Sequence, residues 1–458
     1  MQNNNQQGLK RVLGGWDSIA VSIAIVIGVG IFRVPSEVAK YLISPTLVIL
    51  AWLLGGIISL LGAFCYAELS SSFPKTGGNY IYLRESYGPW AGFLFGWIEL
   101  LVIRTGSIAA ISFILAEYLQ SFFSANEHLI KPIAISAVII LSFINIIGLR
   151  YGKKLLDAFT IAKVLALVGI IVFGIMSKKG DVSHFYSAPI TLNKGMFSLF
   201  GLALIPILWT YGGWHENTFL AGETKDARKT VPRTLIIGIF IIAALYLATN
   251  FIYIYLIPVK EIAGTGLVAS DALQILFGAY GRKIFEIIII VSSLGCINAM
   301  IITGSRVTYA MAKDNVLFKY IGKVSAKYGT PHRAITINAA WSIVLITLGV
   351  FNKLLFFTGV IVWLFFAFIV GGIFILRYKF PDIERPYKVW GYPLVPVIFI
   401  LICIALFINT IIFYPFQAFM GLCLLVSGIP VYLISQGIYT RNLARLEAVA
   451  NLKKEEKE

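Results

Sequence analysis

The chain has 458 residues, of which 58% are hydrophobic and only 13% charged, and its mean hydropathy is +0.84. A soluble domain needs roughly a quarter of its residues charged to cover its surface, so most of this surface must face something other than water. The net charge of +16 sits between apolar blocks, not on a polar domain with interleaved aromatics, which argues against nucleic acid as a partner.

Apolar windows of roughly 18 or more residues can cross a bilayer as helices. In chain order they fall at 15–43, 46–72, 88–123, 131–149, 155–177, 196–222, 233–257, 283–312, 334–350, 354–377, 393–413 and 416–438. This pattern predicts an all-α integral membrane protein with 12 transmembrane helices. Residues 1–14 read as a polar tail without the charged start and cleavage site of a signal peptide, and 439–458 as a mixed-charge tail. Cys65, Cys296, Cys403 and Cys423 all lie inside apolar blocks and read as buried thiols. With the N-terminus in the cytoplasm, the cytoplasmic segments carry 25 Lys and Arg and the outer segments nine. Positive charge concentrates on the cytoplasmic side of membrane proteins, so both termini are expected there.

Two windows carry interruption signals. The first reads Ile-Gly-Val-Gly-Ile-Phe at 27–32, followed by Pro35; the sixth reads Trp-Thr-Tyr-Gly-Gly-Trp-His-Glu at 209–216, preceded by Pro206. A helix breaks inside a bilayer only where the freed backbone groups line a cavity or meet a partner. Glycine permits the dihedrals of an unwound segment, although close helix packing also uses it. These windows open two successive sets of five, and breaks at matching positions of two halves mark inverted-repeat transporters. The N–H end of a half-helix suits a carboxylate, and unwound carbonyls suit an ammonium. Together they suit a zwitterion such as an α-amino acid.

Six motifs, in order, carry a family resemblance. They are Gly28-Val29-Gly30-Ile31-Phe32; Cys65–Leu69 with Pro74–Tyr80; Trp97–Arg104; Asp157–Lys163; Tyr211–Trp214 with Gly222–Lys225 and Val231–Arg233; and Arg385–Val389. The chain resembles the amino acid–polyamine–organocation superfamily, and within it the L-type amino acid transporter family and its bacterial members. The resemblance implies a LeuT-type fold: a 5+5 inverted repeat (15–177 and 196–377) with discontinuous helices 1 and 6, then helices 11 and 12 in 393–438. It implies amino acid transport by alternating access. It places the substrate carboxylate at Gly28, Val29 and Gly30, and the ammonium at carbonyls of Val26, Trp209 and Gly212, with Gly213 and His215 beside them. Trp209 resembles the gate that closes over substrate. The sequence departs from the family pattern at Val29, often Ser, and at His215, often Asn or Glu.

Lys163 lies within the fifth window, where a charge is expensive and usually paired. In related transporters a lysine here resembles a replacement for a bound sodium ion, tying helix 1 to helices 5 and 8, which implies sodium independence. The bland alternative is a snorkelling side chain. Glu99 and Arg104, five residues apart, do not share an α-helical face, so each is expected to pair with another helix. Arg33 either adds positive field near the carboxylate or pairs with an outer acid. His215 is either a titrating group or a neutral pocket wall, and Glu216 its partner or a cap. The facing of Cys296 and Asn298 is open.

The leading expectation is a sodium-independent exchanger of neutral L-amino acids. Alternatives are a proton-coupled amino acid or polyamine symporter and an amino-acid-sensing receptor. No metal cluster, cofactor site or catalytic motif stands out, so the chain reads as no enzyme. In animal relatives a cysteine between helices 3 and 4 links to a glycoprotein; residues 124–131 contain none, so no disulfide-linked heavy chain is expected. A multi-pass protein of a bacterial inner membrane is the simplest location.

Overall fold

The structure, a computed structural model, describes residues 9–186, 194–349, 351–413 and 415–436, with only the main chain of Lys194, Gly195, Phe197 and 351–360. Most of the two terminal tails, 1–8 and 437–458, lies outside the described residues.

The first window is two helices. α1 (Gly15–Val26) and α2 (Gly30–Tyr41) meet at 46° across residues 27–29. The break is a tight turn centred on Ile27, at φ −73° and ψ 81°, which brings the Gly28 N–H back onto the Val26 carbonyl at 2.8 Å. Those values are close to an inverse γ-turn, open to any L-residue. The expectation that glycine dihedrals unwind this segment is therefore corrected: neither Gly28 nor Gly30 has positive φ. Gly30 is needed for space instead, because a Cβ there would meet Thr210 at 2.8 Å.

The chain continues through α3 (Pro45–Ser72), α4 (Asn79–Tyr87) and α5 (Pro89–Ile98). A π-helical segment, Glu99–Ile103, joins α5 to α6 (Arg104–Phe123). Next come α7 (Ile130–Ile146) and α8 (Leu149–Met176). The sixth window ends its helix α9 (Lys194–Thr210) in turns at 211–215 and resumes as a 3₁₀ helix, Glu216–Glu223. The remaining helices are α10 (Ala227–Leu256), α11 (Val259–Ile262), α12 (Val268–Phe277), α13 (Gly281–Lys313), α14 (His332–Leu348), α15 (Phe351–Lys379), α16 (Leu394–Phe413) and α17 (Pro415–Val426).

Among the described residues, nine helical stretches are long and apolar enough to span a membrane, or ten with α1 and α2 as one bent span. The sixth and ninth windows fall on shorter apolar helices, Ser198–Thr210 and His332–Leu348. Large apolar side chains remain exposed on the outer helices, including Phe240, Leu401 and Phe419. Such faces suit hydrocarbon, where backbone groups are satisfied within each helix. Cys65, Cys296 and Cys403 are buried as expected, whereas Cys423 is exposed.

The centre packs α3 along α10, with Trp52, Tyr211 and Tyr246 fully buried in one aromatic group. One face is tied by polar contacts. Val12 and Leu13 donate to the Glu223 carbonyl at 2.9 Å, and Lys225 donates back to Leu13 at 2.8 Å. The Glu223 carboxylate grips Arg306 of α13 at 2.7 and 3.0 Å. Asp17 pairs with Lys153 at 2.8 Å, joining α1 to α8. Glu68 receives both arms of Arg377 and the Val389 N–H, joining α3 to α15 and the segment before α16. This N-terminal face is the one that the charge count assigns to the cytoplasm.

Candidate functional site

The two breaks lie against each other. Gly30 abuts Thr210, and Gly213 lies against Ile25. Gly213 sits at φ +96°, a conformation that L side chains rarely adopt. Ser22 donates to the Trp214 carbonyl at 3.3 Å. At the first break the carbonyl end of α1 faces the N–H end of α2. The first N–H groups of a helix have no acceptor within it, so Gly30 and Ile31 present donors beside the acceptors of α1.

Those acceptors are held by side chains from three other helices. Lys163 of α8 donates to the Ala24 carbonyl at 2.6 Å and to the Cys296 Sγ at 3.1 Å. Its side chain is buried. Cys296 of α13 also donates to Ala24, at 3.1 Å, and Ser292 to Ile27, at 3.3 Å. Tyr246 of α10 donates to the Val26 carbonyl at 2.7 Å and lies 3.4 Å from the Thr210 carbonyl, touching both breaks. Lys163 thus joins α8, α1 and α13 and does not snorkel. Sequence reasoning passed over Tyr246 and Ser292. A tyrosine in the middle of an apolar window was the available signal.

The second break is closed by its own backbone. Gly212 donates to Trp209 at 2.9 Å, Glu216 to Gly213 at 3.1 Å and Thr218 to His215 at 3.0 Å. Trp209 is 58% exposed, so its indole is not packed into the core. His215 is buried among Tyr66, Trp214, Phe219 and Phe366, with ring centroids 5.0–5.6 Å away. Its ring sits in an aromatic cage between α3 and α15.

Glu216 turns elsewhere. It accepts from Arg104 at 2.6 Å and from Thr303 at 2.7 Å. Arg104 also pairs with Glu99, at 2.6 Å. The expectation that Glu99 and Arg104 seek separate partners is corrected in part, and the π segment explains why. The Arg104 N–H bonds the Glu99 carbonyl, and the Thr105 hydroxyl donates to the Leu100 carbonyl at 2.8 Å, so residues five apart share one face. All three charged side chains are at most 8% exposed. Arg33 is exposed on the first turn of α2, within electrostatic range of Glu117. Asn298 bonds Asn145 and the Gly152 carbonyl, joining α13 to α7 and α8 away from the breaks.

Donors at the N–H end of α2 beside acceptors at the carbonyl end of α1, inside a bundle of apolar helices, are chemistry for a zwitterion. Residues 13–427 match the amino acid permease family. The chain belongs to that family. This permease is 32% identical over 434 residues to the serine/threonine exchanger SteT of Bacillus subtilis, covering 94% of this chain and 98% of that protein. It is 31% identical over 444 residues to the large neutral amino acids transporter small subunit 2 of Mus musculus, covering 94% and 82%. It is 29% identical over 430 residues to the human cystine/glutamate transporter, covering 93% and 85%. The permease is an amino acid transporter of the superfamily that its motifs resemble.

Proposed function

We propose that this permease is a sodium-independent exchanger of neutral L-amino acids, working by alternating access in a 12-span LeuT-type frame. The two five-helix repeats are 15–177 and 196–377, with two further helices in 393–438. The observation that carries sodium independence is the Lys163 ammonium, 2.6 Å from the Ala24 carbonyl at the end of α1. Its Nζ occupies the place beside the break between Ala24 and Cys296. Exchange is supported by the likeness to a serine/threonine exchanger over nearly the whole chain.

In this reading the substrate carboxylate meets the N–H end of α2 at Val29 and Gly30, with Gly28 beside them. The Gly28 N–H is engaged by Val26, and the Val26 carbonyl already accepts from both Gly28 and Tyr246. A carbonyl has two lone pairs, so an ammonium reaches Val26 as the Tyr246 hydroxyl lets go. Carbonyls of Trp209 and Gly212 complete the ammonium side, Gly213 shapes the turn and His215 stiffens it from behind. Trp209 closes over the bound substrate. The protein sits in a bacterial inner membrane with both termini cytoplasmic and without a disulfide-linked heavy chain.

The test is uptake of labelled alanine, serine, leucine and arginine into proteoliposomes without sodium. Internal amino acid and a pH gradient are varied independently. Uptake that requires internal amino acid, with arginine excluded, is the expected result. Uptake into empty vesicles driven by a pH gradient would move the assignment to proton symport, and binding without flux to a receptor.

A further inference from the structure

On the face opposite Val12 and Leu13, a recess of about 570 Å³ opens between the end of α6, the segment around α12 and the start of α13. That volume is in the range of small-ligand sites. Its walls carry both signs of charge: Asp271 and Glu286 against Arg282, with Ser121, Thr265 and Gln274 between them. Glu286 is buried and engaged, accepting from Ser121 at 2.8 Å and meeting Arg282 at 3.5 Å. Arg282 is 75% exposed and makes that contact through Nε. Asp271 lines this recess and a smaller adjoining one.

The floor is aromatic and leads to the first break. Tyr118 and Phe285 line the recess, their ring centroids 5.7 Å apart. Phe285 in turn meets Phe32 edge-on at 6.4 Å. Phe32 is two residues beyond Gly30, on the first turn of α2. The wall is also tied to α2 through Ser36 and Thr265, at 3.2 Å. One aromatic layer therefore separates the recess from the N–H end of α2.

We infer that this recess is a second binding site for amino acid zwitterions, where a substrate arriving at this face rests before it reaches the helix breaks. Arg282 takes the carboxylate and Asp271 the ammonium, while Tyr118 and Phe285 support the apolar part. The inference rests on the transport reading and extends it to a site outside both breaks. Because the recess opens to one face only, it acts on substrate from that side alone.

The test is exchange in proteoliposomes of determined orientation, with the half-saturating serine and leucine concentrations measured separately at each face. Asp271→Asn should raise KM at the recess face by about tenfold, the loss of one charge-assisted contact. KM at the opposite face and the saturated rate should stay unchanged. Arg282→Gln should do the same, and the two together should add little beyond either. An unchanged KM at the recess face, or an equal rise at both faces, overturns the inference while leaving the transport reading intact. A folded parent protein that carries no amino acid at all overturns both.

Discussion

The two helix breaks are held by different means. At the first, a tight turn on Ile27 leaves carbonyls that side chains of α8, α10 and α13 satisfy: Lys163, Tyr246, Cys296 and Ser292. At the second, Gly213 takes a left-handed conformation and the backbone bonds itself, while Glu216 anchors to Arg104 and Thr303. The first break is thus governed from outside its own span. The second is closed mainly by its own backbone, touched by Ser22 and Tyr246 and braced by one buried ion cluster. A transporter that rocks one set of helices against another can reposition the first by moving its partners, whereas the second moves as a unit.

That contrast can be broken by mutation. Arg104→Ala should have the largest effect, because it leaves Glu99 and Glu216 buried without their cation. Removing one partner of a buried ion pair costs about 3–5 kcal/mol, so thermal melting in detergent should show a protein that barely folds. Retained stability would mean that the second break does not need its brace. Lys163→Ala should keep the fold yet lower transport on the order of 10–100-fold, the worth of a hydrogen bond to a charged group. Trp209→Ala should join it, losing most transport with the melting temperature unchanged. Full flux in well-folded Lys163→Ala would remove the first break's dependence on α8.

Tyr246→Phe sharpens the comparison more gently. It removes the hydroxyl that touches both breaks and should cost about 1 kcal/mol of stability, read as a small drop in melting temperature. The smallest effect is in α4, outside the spans. Burial pushes the Glu85 carboxyl up, but hydrogen bonds from Arg84 and Lys75 outweigh it and hold it below its ordinary value. A lowered carboxyl contributes stability that is whole above its unfolded pKa and lost as pH falls through the folded one. Melting followed from neutral to acid pH should therefore show less acid loss in Glu85→Gln than in the parent, with neither break disturbed.

Much of this was legible before any fold was known. Apolar runs can only become helices in a bilayer, so the windows located the helical segments, and Gly/Pro clusters located both breaks. Lys163 stood out because a lone charge in an apolar run demands a partner. The family resemblance pointed Lys163 at helices 1 and 8, but the partner atoms themselves were hidden. Ala24, Cys296 and Lys163 come from distant parts of the chain, and no local pattern links them. Arg104 does pair with Glu216 of another segment, but its contact with Glu99 was missed because α-helical spacing was assumed where the backbone takes a π turn.

Composition and periodicity are properties of neighbouring residues, and they determined that this chain is helical, apolar and twice interrupted. The tertiary structure decided what the interruptions do. It sets which carbonyl meets Lys163, which turns onto its own N–H, and which acid Arg104 holds. The physical reason is that a broken helix exposes strong donors and acceptors, and in a bilayer only other helices can answer them. Which helices do so depends on packing across the whole bundle.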